Sequence, residues 1–464
     1  MCSWIVIFDD HICTLADYFT ISYDDGTKRA TIPLFQVFIR QSNRDFHIFV
    51  HVCSLSFVCI IHKIRIKRKS VDIFYGCDTI RIMKVFDTII IGAGAAGLMA
   101  GVALKQREKR ALILDMGPTP ARKVAISGGG NCNFTNSRAD YTHYFGKNPR
   151  FVVSGLTQFS PRDTLNWVAS HGIKYVEKEP GRYFCKNGAG EIVDALMRDI
   201  GNTPIKYETN VIDVERRDDL FVVKTNNGDF IAHTIIVATG GVSYPHLGVS
   251  DIGQKIAKKF GHKIEPIRPA LCAIKTKSFS PDLAGISLPA QITIGKQKIM
   301  GDLLFTHFGL GGPAIYRATL FDLKKISINF LPKIDVFEKL KSAKQKNGKR
   351  GLSGILGEFL PNKLARFFAG NDTHNIADLR DSELKTIASR ITNFEITDAT
   401  AFGFNAAEVT SGGVSTDKIS SKTMESKICG GLYFAGEVLD IAGDLGGFNL
   451  QWAFASGTVA GTNA

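Results

Sequence analysis

Apolar residues in much of this chain are gathered into short runs that stop at glycine or an acid. Thr88-Ile89-Ile90-Ile91 ends at Gly92, Ala111-Leu112-Ile113-Leu114 ends at Asp115, and Ile235-Ile236-Val237 runs into Ala238-Thr239-Gly240-Gly241. Near the C-terminus, Gly431-Leu432-Tyr433-Phe434-Ala435 ends at Gly436-Glu437. Runs this short, rich in β-branched residues and lacking polar alternation, predict strands buried on both faces. After the first run a small-residue stretch, Leu98 to Lys105, predicts a helix, and Gly446-Gly447 predicts a turn opening a last helix. Between these parts, residues 270–331 show apolar runs broken by Gly and Pro, as in a small β-barrel, whereas 335–395 carry helix-like spacing.

The first 82 residues do not share this pattern. They contain no Glu, three Leu and two Ala, and no sustained period of either kind. Their one long apolar run, Phe46 to Ile61, precedes the basic stretch Lys63 to Lys69, the order expected of a membrane anchor. The run is short for a span and contains His47 and His51. The preferred reading is a mis-assigned start, with Met83 as the initiator and 1–82 a poorly structured extension.

The glycines carry the first chemistry. Gly92-Ala93-Gly94-Ala95-Ala96-Gly97 follows a strand and opens a helix, the arrangement that holds a dinucleotide pyrophosphate. Gly92 makes the turn, Gly94 lets backbone approach the phosphates, and Gly97 lets helix pack on strand. Unpaired N–H groups at the helix start favour the negative charge. Asp115, 18 residues beyond Gly97, is placed to accept ribose hydroxyls. Lys123 is a candidate for the pyrophosphate or the ring carbonyls, with a solvated surface pair as the alternative.

Charge and cysteine usage narrow the surroundings. The net charge is +13, and 47 basic against 36 acidic residues follow Met83, so the excess belongs to the main body. Such a surplus attracts polyanions and says nothing about fold. Five of the nine cysteines precede Met83; Cys132, Cys185, Cys272 and Cys429 are far apart in sequence with no C-x-x-C pair. That spacing argues against a zinc site, a disulfide framework or a dithiol relay, and favours a reducing cytoplasm.

Four further stretches point to one family: Ser127-Gly128-Gly129-Gly130-Asn131-Cys132-Asn133-Phe134-Thr135-Asn136, Thr306 to Pro313, Val409-Thr410-Ser411-Gly412-Gly413-Val414, and Gly436 to Gly457. From Met83 to the end the chain resembles the BaiN/YhiN-like family of FAD-dependent oxidoreductases. It departs from the family pattern at Asn131, where Arg or Lys is frequent, and at Gly311, where Ser is usual. The resemblance implies an α/β fold: a Rossmann-like, glutathione-reductase-like FAD domain in two segments, 83–268 and 402–464. These enclose an insert, 269–401, with a β-barrel part (269–331) and a helical part (332–401).

The resemblance also extends the cofactor set. Besides Gly92, Gly94, Ala95, Ala96, Gly97, Asp115 and Lys123, it implies Ser127, Gly128, Gly129, Asn131, Cys132, Asn133 and Val211. The later segments add Ala238, Thr239, Gly240, Gly436, Glu437, Gly446, Gly447, Phe448, Asn449 and Leu450. A helix N-terminus at Gly446–Leu450 would stabilise negative charge on reduced flavin.

Flavin itself moves hydride, so the protein must supply a proton. Cys132 and His307 are the catalytic candidates, against packing roles for both. Arg182 and Tyr183 are placed at the substrate entrance by the same resemblance. The expected activity is NAD(P)H-driven reduction of a carbonyl-conjugated C=C bond, in uracil of ribosomal RNA or in a steroid-type enone. NAD(P)H would bind transiently, for no second glycine motif follows a strand. No metal is expected, and a membrane partner is disfavoured. For an RNA partner, the cations available include Lys255, Lys258 and Lys259, and Lys344, Lys346, Lys349 and Arg350. The alternatives are an FAD-containing binding or redox-sensing protein without turnover, and an amine oxidase using oxygen.

Overall fold

The computed structural model describes residues 85–464 except 347 and 371–374. The anchor and mis-assigned-start readings of 1–82 lie outside the described residues. Two units make up the chain; of the described residues, one contains Val85–Ile89 with Val211–Thr234, and the other Ile90–Asn210 with Ile235–Ala464.

In the first unit, the strands Val211–Arg217 and Leu220–Thr225 pair antiparallel, and Leu220–Thr225 pairs antiparallel with the start of Gly228–Val237. Val85, Val222 and Ile231 form its small apolar cluster, with Leu220 against it. The hydroxyls of Thr88 and Thr234 are 2.9 Å apart.

The second unit holds a parallel sheet made from the short apolar runs. Ile205–Lys206 pairs with Ala111–Leu114. Gly92 N–H then donates to Leu114 O (2.7 Å), and Ala238 N–H to Ile91 O (2.9 Å). Ile235, Ile236 and Val237 pair in parallel with Leu432, Tyr433 and Phe434. Ile90, Ile235, Ile236, Val237, Leu432 and Phe434 are all fully buried, as expected of strands covered on both faces. One covering layer is a pair of helices, Ala95–Gln106 and Phe448–Asn463, both apolar nearly all round and therefore buried. They approach to backbone contact: a Cβ on Gly457 would lie 2.2 Å from Ala96 O.

Between Ile274 and Ala401 the chain forms a seven-stranded antiparallel sheet. Its order is Phe394–Ile396, Ile326–Asn329, Ser287–Ile294, Gln297–Thr306, Gly309–Gly311, Ile274–Lys275, Thr400–Ala401. Ser287–Ile294 shows why: Leu288, Ala290, Ile292 and Ile294 alternate inward. The expected small barrel does not close. Its edge strands, Phe394–Ile396 and Thr400–Ala401, make no pairing with each other among the described residues. The core is completed by helices instead. Leu340, Leu356, Leu364 and Leu384, from helices Val336–Lys346, Leu352–Leu356, Asn362–Ala369 and Asp381–Thr392, join the sheet residues in one apolar cluster. No helix among the described residues is long and apolar enough to cross a membrane.

Candidate active site

Gly92 turns with φ +111°, and a Cβ there would lie 2.4 Å from Ala238 O. Gly97 is equally constrained, since its Cβ would meet Gly92 O at 1.9 Å. Gly94 differs: nothing lies within 4 Å of a Cβ placed there, so the backbone faces open space. The helix Ala95–Gln106 begins at Gly94 without a side-chain cap or an acidic residue in its first turn. Its first N–H groups therefore face that space, ready for an anion.

The space is a cavity of ≈ 510 Å³. It runs from Gly92–Ala96 past Ser127–Gly129 and Ala238–Gly241 to Gly436–Glu437 and Gly446–Leu450. From the expected cofactor set it brings together Gly92, Gly94, Ala95, Ala96, Asp115, Lys123, Ser127, Gly128, Gly129, Asn133, Ala238, Thr239, Gly240, Gly436, Glu437, Gly446, Gly447, Asn449 and Leu450. Gly97, Asn131, Cys132 and Phe448 are not at its surface. Gly97 packs helix on strand, and Phe448 is buried with its ring stacked on His143 at 4.7 Å. Val211 belongs to the other unit, where it opens a strand.

Two ion pairs order the walls. Asp115 Oδ2 accepts from Ala93 N–H (2.7 Å), while Oδ1 accepts from Gly117 N–H (2.8 Å) and the Arg122 guanidinium (2.8 Å). Arg122 also donates to Leu247 O. The acid thus ties the glycine turn to the end of the second strand and keeps one lone pair on Oδ2 for a further donor. Lys123 Nζ donates to Glu437 (2.8 Å) and to Ser243 Oγ (2.7 Å). Glu437 Oε1 in turn accepts from Thr410 N–H at 2.7 Å. Four distant stretches are joined through that one carboxylate.

Neither catalytic candidate reaches the cavity surface. His307 is exposed on the turn between Gln297–Thr306 and Gly309–Gly311. Cys132 is fully buried, with φ +47°. Two of the cysteines that are far apart in sequence are neighbours in space. Strand Asn133–Asn136 pairs antiparallel with Arg182–Cys185, in the register Asn133↔Phe184, and this brings Cys132 against Cys185. Spacing along the chain carried no trace of it, because a sheet register made the neighbour.

The site also contains groups that sequence reasoning passed over. Glu408 lines the cavity and is exposed to it. Desolvation by surrounding protein pushes its carboxyl above the ordinary carboxylate value, opposed by the charges of Lys123 and Arg182. Tyr244, also in the wall, is raised by burial and then by the Glu408 charge. Glu408 directly precedes the strand Val409–Val414, and that position was the available signal. Arg182, foreseen only by resemblance, does line the cavity, with Nη1 on Glu179 at 2.8 Å.

These residues fit FAD. The glycine cradle leaves room only where phosphates would approach, cations flank it, and a second helix N-terminus, at Phe448–Asn463, opens on the cavity with Asn449 and Leu450 in the wall.

Residues 86–463 match the HI0933-like protein Rossmann domain. A "Ribosomal RNA dihydrouridine synthase" of Haemophilus influenzae is 40% identical over 385 residues, covering 80% of this chain and 96% of that protein. One of the same name from Escherichia coli is 36% identical over 391 residues, covering 81% and 96%. A "3-dehydro-bile acid delta(4,6)-reductase" of Clostridium scindens is 28% identical over 404 residues, covering 81% and 98%. With its glycine cradle, its cavity and a match over nearly all the described residues, the chain belongs to the HI0933-like, BaiN/YhiN-like family of FAD-dependent oxidoreductases.

Proposed function

We propose that this protein reduces the C5=C6 bond of a uracil in ribosomal RNA, using FAD reduced by transiently bound NAD(P)H. The observation that carries the reading is the similarity, at 40% and 36% identity over 96% of their lengths, to two proteins named for that product. The Clostridium scindens relative is named for a reductase of a bile acid, and a C=C bond conjugated to a carbonyl is the chemistry common to the two kinds of substrate. Bound FAD supplies the hydride; the chain's residues must bind, orient and supply a proton.

In this reading Gly92–Gly97 and Lys123 hold the pyrophosphate, and Asp115 takes a ribose hydroxyl on its remaining lone pair. Gly446–Leu450 presents helix N–H groups to charge developing on the ring. Glu408 holds the proton. It is reachable from the cavity, and its carboxyl is raised so that the acid form persists above the usual carboxylate range. Cys132, enclosed behind the wall, takes no part in this step. The RNA reading does not lean on the two lysine-rich clusters: Lys344 is engaged by Leu379 O and Asp381, Arg350 by Glu358, and Lys255 by Asp251. A substrate of this kind places the work in the cytoplasm.

The test is mass spectrometry of ribosomal RNA from cells with and without the gene, joined to NADH or NADPH oxidation by the purified protein. One uridine gaining two hydrogens only when the gene is present is the expected result. No mass change at any uridine would end the RNA reading, and peroxide release on adding amines would favour an oxidase.

A further inference from the structure

Cys132 and Cys185 are 53 positions apart in sequence and neighbours in space. They lie just beyond the pairing Asn133↔Phe184, where Cys185 N–H donates to Asn131 O (2.9 Å) and Cys132 O (3.4 Å). A hydrogen bond between the two thiols sets the sulfurs against each other, as disulfide closure requires. Both thiols are free and buried, at 0% and 1% exposure. No cluster of three or more His, Cys, Asp or Glu side chains suited to a metal occurs among the described residues, so the pair is not part of such a site.

The two sulfurs share a hydrogen bond. The Cys185 thiol donates to Cys132, holding Cys132 below the usual thiol value against the opposing effect of burial. The same contact, with burial, raises Cys185. In such a contact one sulfur can act as the nucleophile with the other as its proton donor. The cavity is one residue away on both strands, for Ser127, Gly128, Asn133 and Phe184 line it.

We propose that Cys132 and Cys185 are a redox-active dithiol, which closes to an intrachain disulfide when a small peroxide reaches it through the cavity wall. Cys132 Sγ attacks one peroxide oxygen; the O–O bond breaks, the leaving oxygen takes the Cys185 proton as water, and Cys132 becomes a sulfenic acid. Cys185 Sγ then attacks Cys132 Sγ, the S–S bond forms, the S–O bond breaks, and a second water leaves with the remaining proton. The dithiol has lost two electrons and the two peroxide oxygens have gained them. The bond ties the end of the Ser127–Gly130 loop to the strand bearing Arg182 and Phe184, so the oxidation state is transmitted to the cavity wall. Burial selects the oxidant: hydrogen peroxide is water-sized, and glutathione disulfide is not.

The purified full chain, treated with hydrogen peroxide, is denatured in iodoacetamide, digested and mapped by mass spectrometry. The expected product is one peptide pair joined through Cys132 and Cys185, unalkylated at both and separated by dithiothreitol. In Cys185→Ser, peroxide should leave Cys132 as a sulfenic acid caught by dimedone. Full alkylation of both thiols after peroxide overturns the proposal, as does oxidation of either cysteine to sulfinic acid without linkage. Equal rates with glutathione disulfide overturn the assignment to peroxide.

Discussion

Around the cavity, backbone touches backbone: Gly97 against Gly92 O, Gly457 against Ala96 O, Gly447 against Thr135 O, each with no room for a Cβ. In the insert, aromatic side chains fill the space. Phe279 stacks on Phe394 at 4.8 Å and meets Phe305 edge-on at 5.0 Å, while Phe330 meets Phe368 at 5.4 Å. The contrast is in tolerance. A backbone contact admits one residue type, because any side chain must displace main chain. A side-chain contact admits several, at a cost that grows with the volume lost. The cofactor region is therefore written in residue identities, and the insert only in the placing of apolar positions.

The sharpest way to break this comparison is Gly97→Val. The added carbons would enter Gly92 O, and bound flavin per mole of protein should fall on the order of tenfold or more, read from its visible absorbance. A yellow, folded variant would show that close approach is not the constraint.

Phe330→Ala comes next. It empties a fully packed ring position in the insert and should cost about 3–5 kcal/mol in denaturant unfolding, while flavin absorbance is kept wherever the protein remains folded. Loss of flavin from still-folded protein would mean that the two regions are not separable in this way.

Glu408→Gln tests the site rather than the packing. Turnover should fall on the order of a hundredfold with flavin retained. The pH dependence has a definite sign. Glu408 is raised above 4.5, so the folded state holds its proton to higher pH than the unfolded chain. Its contribution to stability is complete below 4.5 and is lost as pH rises through the folded value. Activity that needs the acid form declines over that same upper range. In the Gln variant that limb should vanish from both profiles, and an unchanged profile would remove Glu408 from the chemistry.

The smallest effect is expected at Lys255→Ala. Its partner Asp251 is exposed, as is Lys255 itself, and stability should change by about 0.5 kcal/mol or less by thermal melting.

The parallel strands, both buried helices and the glycine cradle were legible because each is specified by residues adjacent in the chain. Ala111–Leu114 has the same ends in sequence and structure, and the first helix differs by a few residues, Ala95–Gln106 against Leu98 to Lys105. The insert was legible only in part. Its strands and helices were anticipated, but not that one apolar cluster would run through both and leave the sheet unclosed. Apolar runs say that a face is buried and not what covers it.

The sequence by itself determined the strand, glycine turn and helix at Gly92–Gly97, since they follow one another and the steric demand on each glycine is local. Tertiary structure alone decided that Asp115 holds the glycine turn at Ala93 as well as facing the cavity, that Glu437 gathers Lys123, Ser243 and Thr410, and that Cys132 meets Cys185. Each of these joins segments brought together by sheet register or by loops meeting at the cavity. Register is set by the whole packed core, so no local pattern can announce which side chains it will make neighbours.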